Sequence, residues 1–251
     1  MRAVIVGASS GLGRCIGVGL ARRGAQVALL ARRKDRLQDA AADAGTGAAA
    51  IACDVTDEAS CRSAIAEAVA ALGGIDALVY ASGIGPLARL AETDADTWRR
   101  VFDTNVTGAA LVTSAALPAL QESGGVAMYL SSVSASMTPP WPGLGAYAVS
   151  KAALDKLVEG WRAEHPHLGF TRVVVGDCGG GEGDAVSGFP NDWDQDLAME
   201  LFPVWSSRNY LSGSLVDVED LINVVDTVAR AGASCAIPSV TVAPRAPNPT
   251  A

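Results

Sequence analysis

Short runs of apolar residues alternate along this chain with longer segments whose apolar residues recur every three or four positions. A run of four to eight apolar residues is typical of a buried strand, and the longer periodic segments are typical of helices. The predicted strands are Ala3–Val6, Gln26–Ala31, Ala48–Cys53, Ala77–Ala81, Val126–Ser131, Thr171–Val175 and Cys235–Val242. The predicted helices include Leu12–Arg23, Glu58–Leu72, Asp96–Leu117 and Ala146–Glu164.

The predicted strands are apolar on both faces and are separated by helical segments. Strands of this kind indicate a parallel sheet covered by helices on both sides. With 251 residues the chain is long enough for one such α/β domain, and we expect a single domain over residues 1–251. Residues 243–251 contain three prolines and are predicted to form a non-helical tail.

One segment interrupts the alternation of strands and helices. A glycine cluster, Gly179-Gly180-Gly181-Glu182-Gly183, is followed by the aromatic residues Phe189, Trp193, Phe202, Trp205 and Tyr210. We expect residues 177–214 to form a substrate lid with a glycine hinge. The alternative is a surface insertion whose aromatic side chains pack back on the domain.

The chain is acidic, with a formal net charge of -8 and a pI of about 4.7. This excess of negative charge disfavours nucleic acid and membrane surfaces as partners. The 5 cysteines have no paired spacing, which predicts neither a metal site nor disulfides and favours a reducing compartment. The apolar run Ala3–Val6 is too short for a signal peptide or a membrane span. We therefore expect a cytoplasmic protein.

A glycine-rich loop follows the first predicted strand and opens the first predicted helix. Glycines at such a turn let the backbone approach a pyrophosphate, and the helix N-terminus offers its unpaired N–H groups to the anion. The loop therefore predicts a dinucleotide-binding site. The residues expected to take part are Gly7, Ser9, Ser10, Gly11, Leu12 and Gly13.

The choice of cofactor is indicated at the end of the second predicted strand. Arg32 and Arg33 stand there instead of the acidic residue that would bind a ribose 2′-hydroxyl. An arginine fork binds a 2′-phosphate, so we expect NADP(H) to be preferred roughly ten- to a hundredfold. The alternative is that the arginines only begin a solvated helix. After the third strand, Asp54 and Val55 could flank an adenine ring, or Asp54 could cap the next helix.

The run Tyr147-Ala148-Val149-Ser150-Lys151 places a phenol and an ammonium four residues apart in a predicted helix. Residues at this spacing lie on one helix face, so the ammonium can sit beside the phenol ring. We expect this charge to lower the pKa of Tyr147 below its usual value of about 10. A phenol with a lowered pKa suits general acid catalysis on a carbonyl. The same spacing also occurs in an amphipathic helix with a solvent-reaching lysine.

Four features in this order carry a resemblance: the glycine loop, Asn105 in Asn105-Val106-Thr107-Gly108, the pair Ser131-Ser132, and Tyr147 with Lys151. The chain resembles the short-chain dehydrogenase/reductase family, in its compact single-domain branch, from residue 2 to about residue 176. The resemblance implies a doubly wound parallel sheet (a Rossmann fold) of about seven strands with helices on both faces. It also implies a site for hydride transfer.

The resemblance assigns roles to four residues. Tyr147 is expected to be the general acid/base, and Lys151 to lower its pKa and hold the nicotinamide ribose. Ser132 is expected to hydrogen-bond the substrate oxygen, and Asn105 to support a water chain that leads to Lys151. Two hydroxyl donors that converge on one carbonyl oxygen would stabilise the negative charge that develops there.

Two segments depart from the family pattern. The segment after the fourth predicted strand reads Tyr80-Ala81-Ser82-Gly83 where the family usually has Asn-Asn-Ala-Gly. Ala81, Ser82 and Gly83 are still expected to contact the cofactor, but the asparagine bonds that brace the central strands are lost. Tyr80 or Ser82 could replace those bonds, or packing alone could hold the strands. Gly176-Asp177 stands where the family usually has Pro-Gly.

The interval between the serine and the tyrosine is longer than the family's usual one. Aligned on the predicted strand, Ser132 is the catalytic candidate, whereas counting back from Tyr147 favours Ser134. We favour Ser132, because strand geometry fixes its position while the following loop can absorb extra residues.

We therefore expect an NADPH-dependent reductase, or the reverse alcohol dehydrogenase, that acts on an apolar ketone or secondary alcohol. The expected substrate walls are Met137, Trp141, Leu144, Phe189, Trp193, Phe202 and Trp205. The alternatives are a catalytically silent nucleotide sensor and an epimerase or dehydratase, although the chain looks too short for the latter. Members of the resembled family commonly pair through the helix that carries the tyrosine, so we expect a homodimer or homotetramer.

Overall fold

The computed structural model of the protein describes residues 1–181, 186, 188–211, 213–232 and 234–245. Within these ranges the strands are β1 (Arg2–Val6), β2 (Gln26–Ala31), β3 (Ala49–Ala52), β4 (Ala77–Tyr80), β5 (Val126–Ser132), β6 (Gly169–Val175) and β7 (Ser239–Val242). They form one 7-stranded sheet in the order β3-β2-β1-β4-β5-β6-β7, and every pairing is parallel. The strand order reverses direction between β1 and β4.

The α-helices of the described residues cover both faces of this sheet. They are α1 (Gly11–Arg22), α2 (Lys34–Ala44), α3 (Glu58–Leu72), α4 (Ala95–Phe102), α5 (Gly108–Ser123), α6 (Val133–Ser136), α7 (Gly145–Glu164), α8 (Gln195–Ser207) and α9 (Val218–Ala229). Helices α3, α5 and α7 pack on one face, and α1, α2 and α9 pack on the other. The predicted doubly wound α/β fold is thus confirmed.

Strand β1 shows why apolar and polar residues do not alternate within the predicted strands. Val4 and Val6 turn toward α3, α5 and α7, while Ala3 and Ile5 turn toward α1 and α9, and all four are fully buried. Strand side chains point alternately to the two faces, so a sheet that is covered on both sides requires apolar residues at every position.

The single helix predicted over Asp96–Leu117 is wrong. Helix α4 ends at Phe102, a π-turn spans Asp103–Thr107, and α5 then continues through Pro118 to Ser123. A π-turn inserts one residue into a helix, and the apolar period alone does not reveal such an insertion. Gly124, whose φ is 64°, ends α5 in the left-handed region.

The segment rich in aromatic residues packs around α8 as a third, smaller apolar cluster. The buried residues of this cluster are Leu87, Leu144, Leu201 and Trp205. The partly buried side chains that pack against them include Trp141, Phe189, Trp193 and Tyr210. Residues 182–185, 187 and 212 of the predicted lid, and residues 246–251 of the predicted tail, lie outside the described residues. Each helix in the described ranges is too short or too polar to cross a bilayer.

Candidate active site

A cleft of about 1190 Å³ opens where the carboxyl ends of the strands meet. It lies at the reversal of strand order between β1 and β4, which is where open parallel α/β sheets bind ligands. Its walls come from the ends of β1, β2, β4, β5 and β6, from the start of α7, and from residues 188–193 before α8.

The glycine loop between β1 and α1 forms one end of the cleft, and all six residues predicted for phosphate binding line it. Gly7 has a φ of +89°, and a Cβ there would lie 2.7 Å from the backbone nitrogen of Ser82. A Cβ on Gly13 would lie 2.4 Å from the carbonyl oxygen of Gly7. The backbone therefore leaves no room for side chains at Gly7 and Gly13, and the N-terminus of α1 faces the cleft.

Two arginines line the cleft beside this loop. The Arg33 guanidinium donates to Ser9 Oγ at 2.9 Å and to Ser10 Oγ at 2.6 Å. Partial burial, followed by the charges of Arg36 and Arg32, lowers the pKa of Arg33. A concentration of positive charge at this point suits an anion such as a phosphate.

Of the two residues predicted to flank an adenine ring, Val55 lines the cleft. The Asp54 carboxylate instead accepts bonds from the backbone N and the hydroxyl of Thr56, at 3.0 and 2.8 Å. The hydrogen bond from the Thr56 backbone lowers the pKa of Asp54. The suggestion that Asp54 caps α3 is wrong, because the Asp57 side chain accepts from Ala59 N and Ser60 N.

Tyr147 and Ser132 face the cleft from α7 and from the end of β5. Desolvation raises the pKa of Tyr147 to about 12, and a hydrogen bond with Ser132 acts in the opposite direction. The expectation of a lowered pKa for Tyr147 is therefore wrong for this structure, because burial of the phenol disfavours its charged form. Tyr147 is consequently protonated at neutral pH.

Lys151 is buried one helical turn beyond Tyr147. Its ammonium lies 5.7 Å from the centre of the Tyr147 ring and donates to the Leu130 carbonyl at 2.6 Å. Burial lowers the pKa of Lys151 to about 8, and the negative charge of Asp155 acts in the opposite direction.

Ser132 and Ser134 lie together in the wall of the cleft. Their hydroxyl oxygens are 2.9 Å apart, and Ser132 Oγ also accepts from the backbone N of Ser134 at 3.2 Å, which caps α6. Of the two hydroxyls, that of Ser132 is the one that influences the pKa of Tyr147.

Asn105 is fully buried behind the cleft, in the π-turn between α4 and α5. Its side-chain oxygen accepts from Ile84 N at 2.8 Å, and its nitrogen donates to Ile84 O at 2.9 Å and to Ser150 Oγ at 2.8 Å. The Ser150 hydroxyl donates in turn to the carbonyl of Tyr147 at 2.7 Å. Asn105 thus joins the segment after β4 to the first turns of α7.

The altered segment after β4 is braced by Tyr80. The buried Tyr80 hydroxyl donates to the carbonyl of Thr104 at 2.5 Å. The next three residues, Ala81, Ser82 and Gly83, line the cleft. At the altered position after β6, the Asp177 carbonyl accepts from Val216 N at 2.8 Å.

Four of the predicted substrate walls line the cleft: Trp141, Leu144, Phe189 and Trp193. The Phe189 ring meets the Tyr147 ring edge-on at 4.9 Å, and Trp193 Nε1 donates to the Gly85 carbonyl at 2.8 Å.

The other three predicted substrate walls are wrong. Met137 and Phe202 are more than half exposed, and Trp205 is buried in the cluster around α8, where its indole N–H donates to Pro142 O. Apolar composition alone does not show which face of a helix a side chain occupies.

The sequence did not single out Ser150, Cys53 or Arg100, although Ser150 links Asn105 to α7 and the other two line the cleft. The signal for Ser150 was its position three residues after Tyr147, on the same face of the helix. In the described part of the chain, no cluster of three or more potential metal ligands is present.

Comparison with known proteins gives matches over most of the chain. The sequence profile of the family described as short chain dehydrogenase matches residues 1–187. A short chain dehydrogenase of Pseudocercospora fijiensis is 36% identical over 196 residues, which cover 76% of this chain and 62% of that protein. The chain therefore spans less than two thirds of the length of this relative.

Solved structures resemble the whole fold. A short-chain type dehydrogenase/reductase from Mycobacterium marinum is 27% identical, with a TM-score of 0.80 over 96% of this chain and 93% of that one. An alcohol dehydrogenase from the archaeon Thermococcus sibiricus, complexed with 5-hydroxy-NADP, has a TM-score of 0.79 at 23% identity over 96% and 94% of the two chains. At that level of identity, the second similarity concerns the fold alone.

Proposed function

The chain belongs to the short-chain dehydrogenase family, and from that premise we propose that it is an NADP(H)-dependent oxidoreductase. The proposed reaction interconverts an apolar ketone and the corresponding secondary alcohol. The observation that carries this proposal is the convergence of the Tyr147 phenol, the Ser132 hydroxyl and the buried Lys151 ammonium on one cleft.

The residues at the loop end of the cleft fit a dinucleotide. The loop has no space for a Cβ at Gly7 or Gly13, and α1 begins there with its N–H groups directed at the cleft. Arg32 and Arg33 would bind the 2′-phosphate that distinguishes NADP(H) from NAD(H). The relative from Thermococcus sibiricus was solved with an NADP derivative, which is consistent with this choice.

When bound, the nicotinamide supplies or accepts the hydride. Tyr147, protonated at neutral pH, would donate its proton to the carbonyl oxygen of a ketone, and Ser132 would hydrogen-bond the same oxygen. Lys151 would hold the ribose and place a positive charge near the phenol when that proton leaves. Asn105 would fix the backbone of α7 through Ser150.

The side chains that line the cleft favour an apolar substrate of moderate size. Trp141, Leu144, Phe189 and Trp193 form one wall beside Tyr147. Such a wall contributes contact area without polar partners, which favours alkyl and cyclic ketones over charged ones.

The proposal is tested by following NADPH oxidation against a panel of aliphatic, aromatic and cyclic ketones. Wild type and Tyr147→Phe are compared, each with NADPH and with NADH. Turnover by wild type that falls by about a hundredfold or more in Tyr147→Phe, with NADPH binding retained, supports the proposal. NADPH binding with no turnover in either direction would favour a nucleotide sensor instead.

The single-domain organisation with a substrate lid at 177–214, the cytoplasmic location and the homo-oligomeric state stay predictions. The position of residues 188–193 in the wall of the cleft supports a lid. The packing of Leu201 and Trp205 on Leu87 and Leu144 is equally expected of a surface insertion that packs back on the domain.

A further inference from the structure

Tyr80 ends β4 and is almost fully buried on the face covered by α3, α5 and α7. Its hydroxyl donates to the carbonyl oxygen of Thr104 at 2.5 Å. Burial raises the pKa of Tyr80 well above its usual value, so the hydroxyl remains a hydrogen-bond donor over the working pH range. A buried phenol at a strand end thus bonds to the backbone of a neighbouring helix.

The acceptor lies in the π-turn that separates α4 from α5. This turn spans Asp103–Thr107, and the residue that follows Thr104 is Asn105. π-Turns are rare, are strained relative to the α-helix, and frequently occur at functional sites. An external bond to a carbonyl within the turn stabilises the widened backbone against relaxation to a regular helix.

Asn105 depends on that backbone for its own bonds. Its amide makes three hydrogen bonds, two with the backbone of Ile84 and one with Ser150 Oγ, all between 2.8 and 2.9 Å. Ser150 Oγ then donates to the Tyr147 carbonyl at 2.7 Å. A continuous path of bonds therefore runs from Tyr80, through the π-turn, to the backbone of Tyr147.

The hydrogen bond from Tyr80 to Thr104 also requires a glycine at position 108, the first residue of α5. A Cβ at Gly108 would lie 2.7 Å from the Tyr80 hydroxyl and 2.9 Å from the carbonyl oxygen of Val55. Gly108 has a helical φ of -60°, so its need for glycine comes from this close approach and not from the backbone conformation.

We propose that Tyr80 is a positioning residue for the active site, and that its hydroxyl holds the π-turn so that Asn105 keeps its bonds to Ile84 and Ser150. The kinetic consequence rests on the proposed function, because it requires Tyr147 to act in hydride transfer. The structural consequence, an ordered π-turn, does not.

The test compares Tyr80→Phe with Tyr129→Phe. Tyr129 is the register partner of Tyr80 on β5, is equally buried, and bonds through its hydroxyl to Thr113 Oγ1 at 2.8 Å. Each variant loses one buried hydroxyl and keeps its ring, but only Tyr80→Phe frees the π-turn. Backbone amide hydrogen exchange over residues 84 and 103–108 is measured without cofactor, and kcat and KM are measured with NADPH and a ketone substrate.

We expect Tyr80→Phe to exchange faster over 103–108 and to lower kcat by about ten- to a hundredfold, with KM for NADPH nearly unchanged. Tyr129→Phe is expected to change neither quantity. Equal exchange in the two variants, or faster exchange in Tyr80→Phe with an unchanged kcat, would overturn the proposal.

If the wild-type protein reduces no ketone, the proposed function is contradicted, but the positioning role of Tyr80 is not. The comparison of hydrogen exchange in Tyr80→Phe and Tyr129→Phe then tests that role by itself. If Tyr80→Phe gives no folded protein, Gly108→Ala takes its place, because the added Cβ displaces the Tyr80 hydroxyl. Exchange over 103–108 as slow as in wild type would then contradict the proposal.

Discussion

Asp155 lies one helical turn beyond Lys151 on α7 and is almost completely buried. Its negative charge raises the pKa of Lys151, against the larger effect of burial, which lowers that pKa to about 8. Arg172 on β6 approaches Asp155 at 3.5 Å and also approaches the more exposed Glu159, at 3.7 Å. The charge of Lys151 therefore depends on a carboxylate that does not line the cleft.

Asp155→Asn is expected to shift the alkaline limb of kcat/KM to lower pH. Lys151 is charged below its pKa, and removal of the nearby negative charge lowers that pKa further below about 8. A pH profile of ketone reduction measures the shift. Glu159→Gln serves as the control, because it removes the other acidic partner of Arg172 and should leave the limb in place. Equal shifts in both variants would contradict the prediction.

Cofactor selectivity is expected to depend on Arg32 and Arg33. Loss of a charge-assisted bond to the 2′-phosphate should raise KM for NADPH roughly ten- to a hundredfold in Arg33→Ala, while KM for NADH stays constant. Arg32→Asp should in addition move the preference toward NADH. Steady-state kinetics with both cofactors measure these effects. An equal loss with NADPH and NADH would mean that Arg33 acts only through its bonds to Ser9 and Ser10.

Ser132→Ala is expected to reduce kcat by about a hundredfold or more, because the hydroxyl proposed to bond the reacting oxygen is lost. Ser134→Ala should retain activity within a few-fold, since the pKa of Tyr147 is influenced by Ser132 and not by Ser134. Turnover numbers of the two variants measure the difference. If only Ser134→Ala abolishes turnover, the roles of the two serines are reversed.

At the scale of elements, the segment before α8 controls the space beside Tyr147. The Phe189 ring lies against Tyr147, and a Cβ at Gly85 would lie 2.2 Å from that same ring. Glycine at position 85 therefore makes room for Phe189, and Trp193 fixes the segment through its bond to the Gly85 carbonyl.

Phe189→Ala is expected to raise kcat/KM for bulky cyclic ketones relative to small aliphatic ones by about tenfold, because a large side chain is removed from the proposed substrate wall of the cleft. Phe202→Ala is the matched control, since Phe202 lies in α8, next along the chain, and is more than half exposed. The measurement is the ratio of kcat/KM for the two substrate classes. The same ratio in Phe189→Ala as in wild type would place Phe189 outside the substrate site.

The elements also differ in how well the sequence alone predicted them. The boundaries of β2 and α3 were predicted to the residue, because uniform apolar or helical patterns end there at clear turn signals. Helix α8 was missed, because the glycine cluster and scattered aromatics indicated a loop-rich lid over this segment. The sequence did not reveal the π-turn at Asn105, because the apolar pattern is typical of a helix both before and after the turn.

For the whole molecule, α7 limits how copies of the chain can associate. Leu154 and Val158 are fully buried in the core and are not available to a partner, whereas Val149 is 47% exposed on the outer face of α7. Sedimentation velocity is expected to show that the wild-type protein is a homodimer or homotetramer. Val149→Glu is expected to shift the protein toward monomer, because the substitution would bury a charge in an apolar contact between copies. A wild-type monomer contradicts this prediction.

The sequence by itself predicted a parallel sheet, the glycine loop and the order of the motifs, because the apolar runs, turn residues and motif spacings that indicate them are local patterns. The doubly wound topology then followed from the resemblance to a known family. Local patterns also singled out four candidate site residues, because each follows a predicted strand end directly or lies on one face of a predicted helix. These residues are Arg32, Arg33, Tyr147 and Lys151.

Only the tertiary structure decided the direction of the Tyr147 pKa, the exclusion of Phe202 and Trp205 from the cleft, and the bond between Tyr80 and Thr104. Each of these depends on desolvation or on contact between residues far apart in sequence. Tyr80 and Thr104 are separated by 24 positions, and Phe189 and Tyr147 belong to different elements. Local patterns predict which face of an element is apolar, but burial and long-range contacts are known only once the elements have packed.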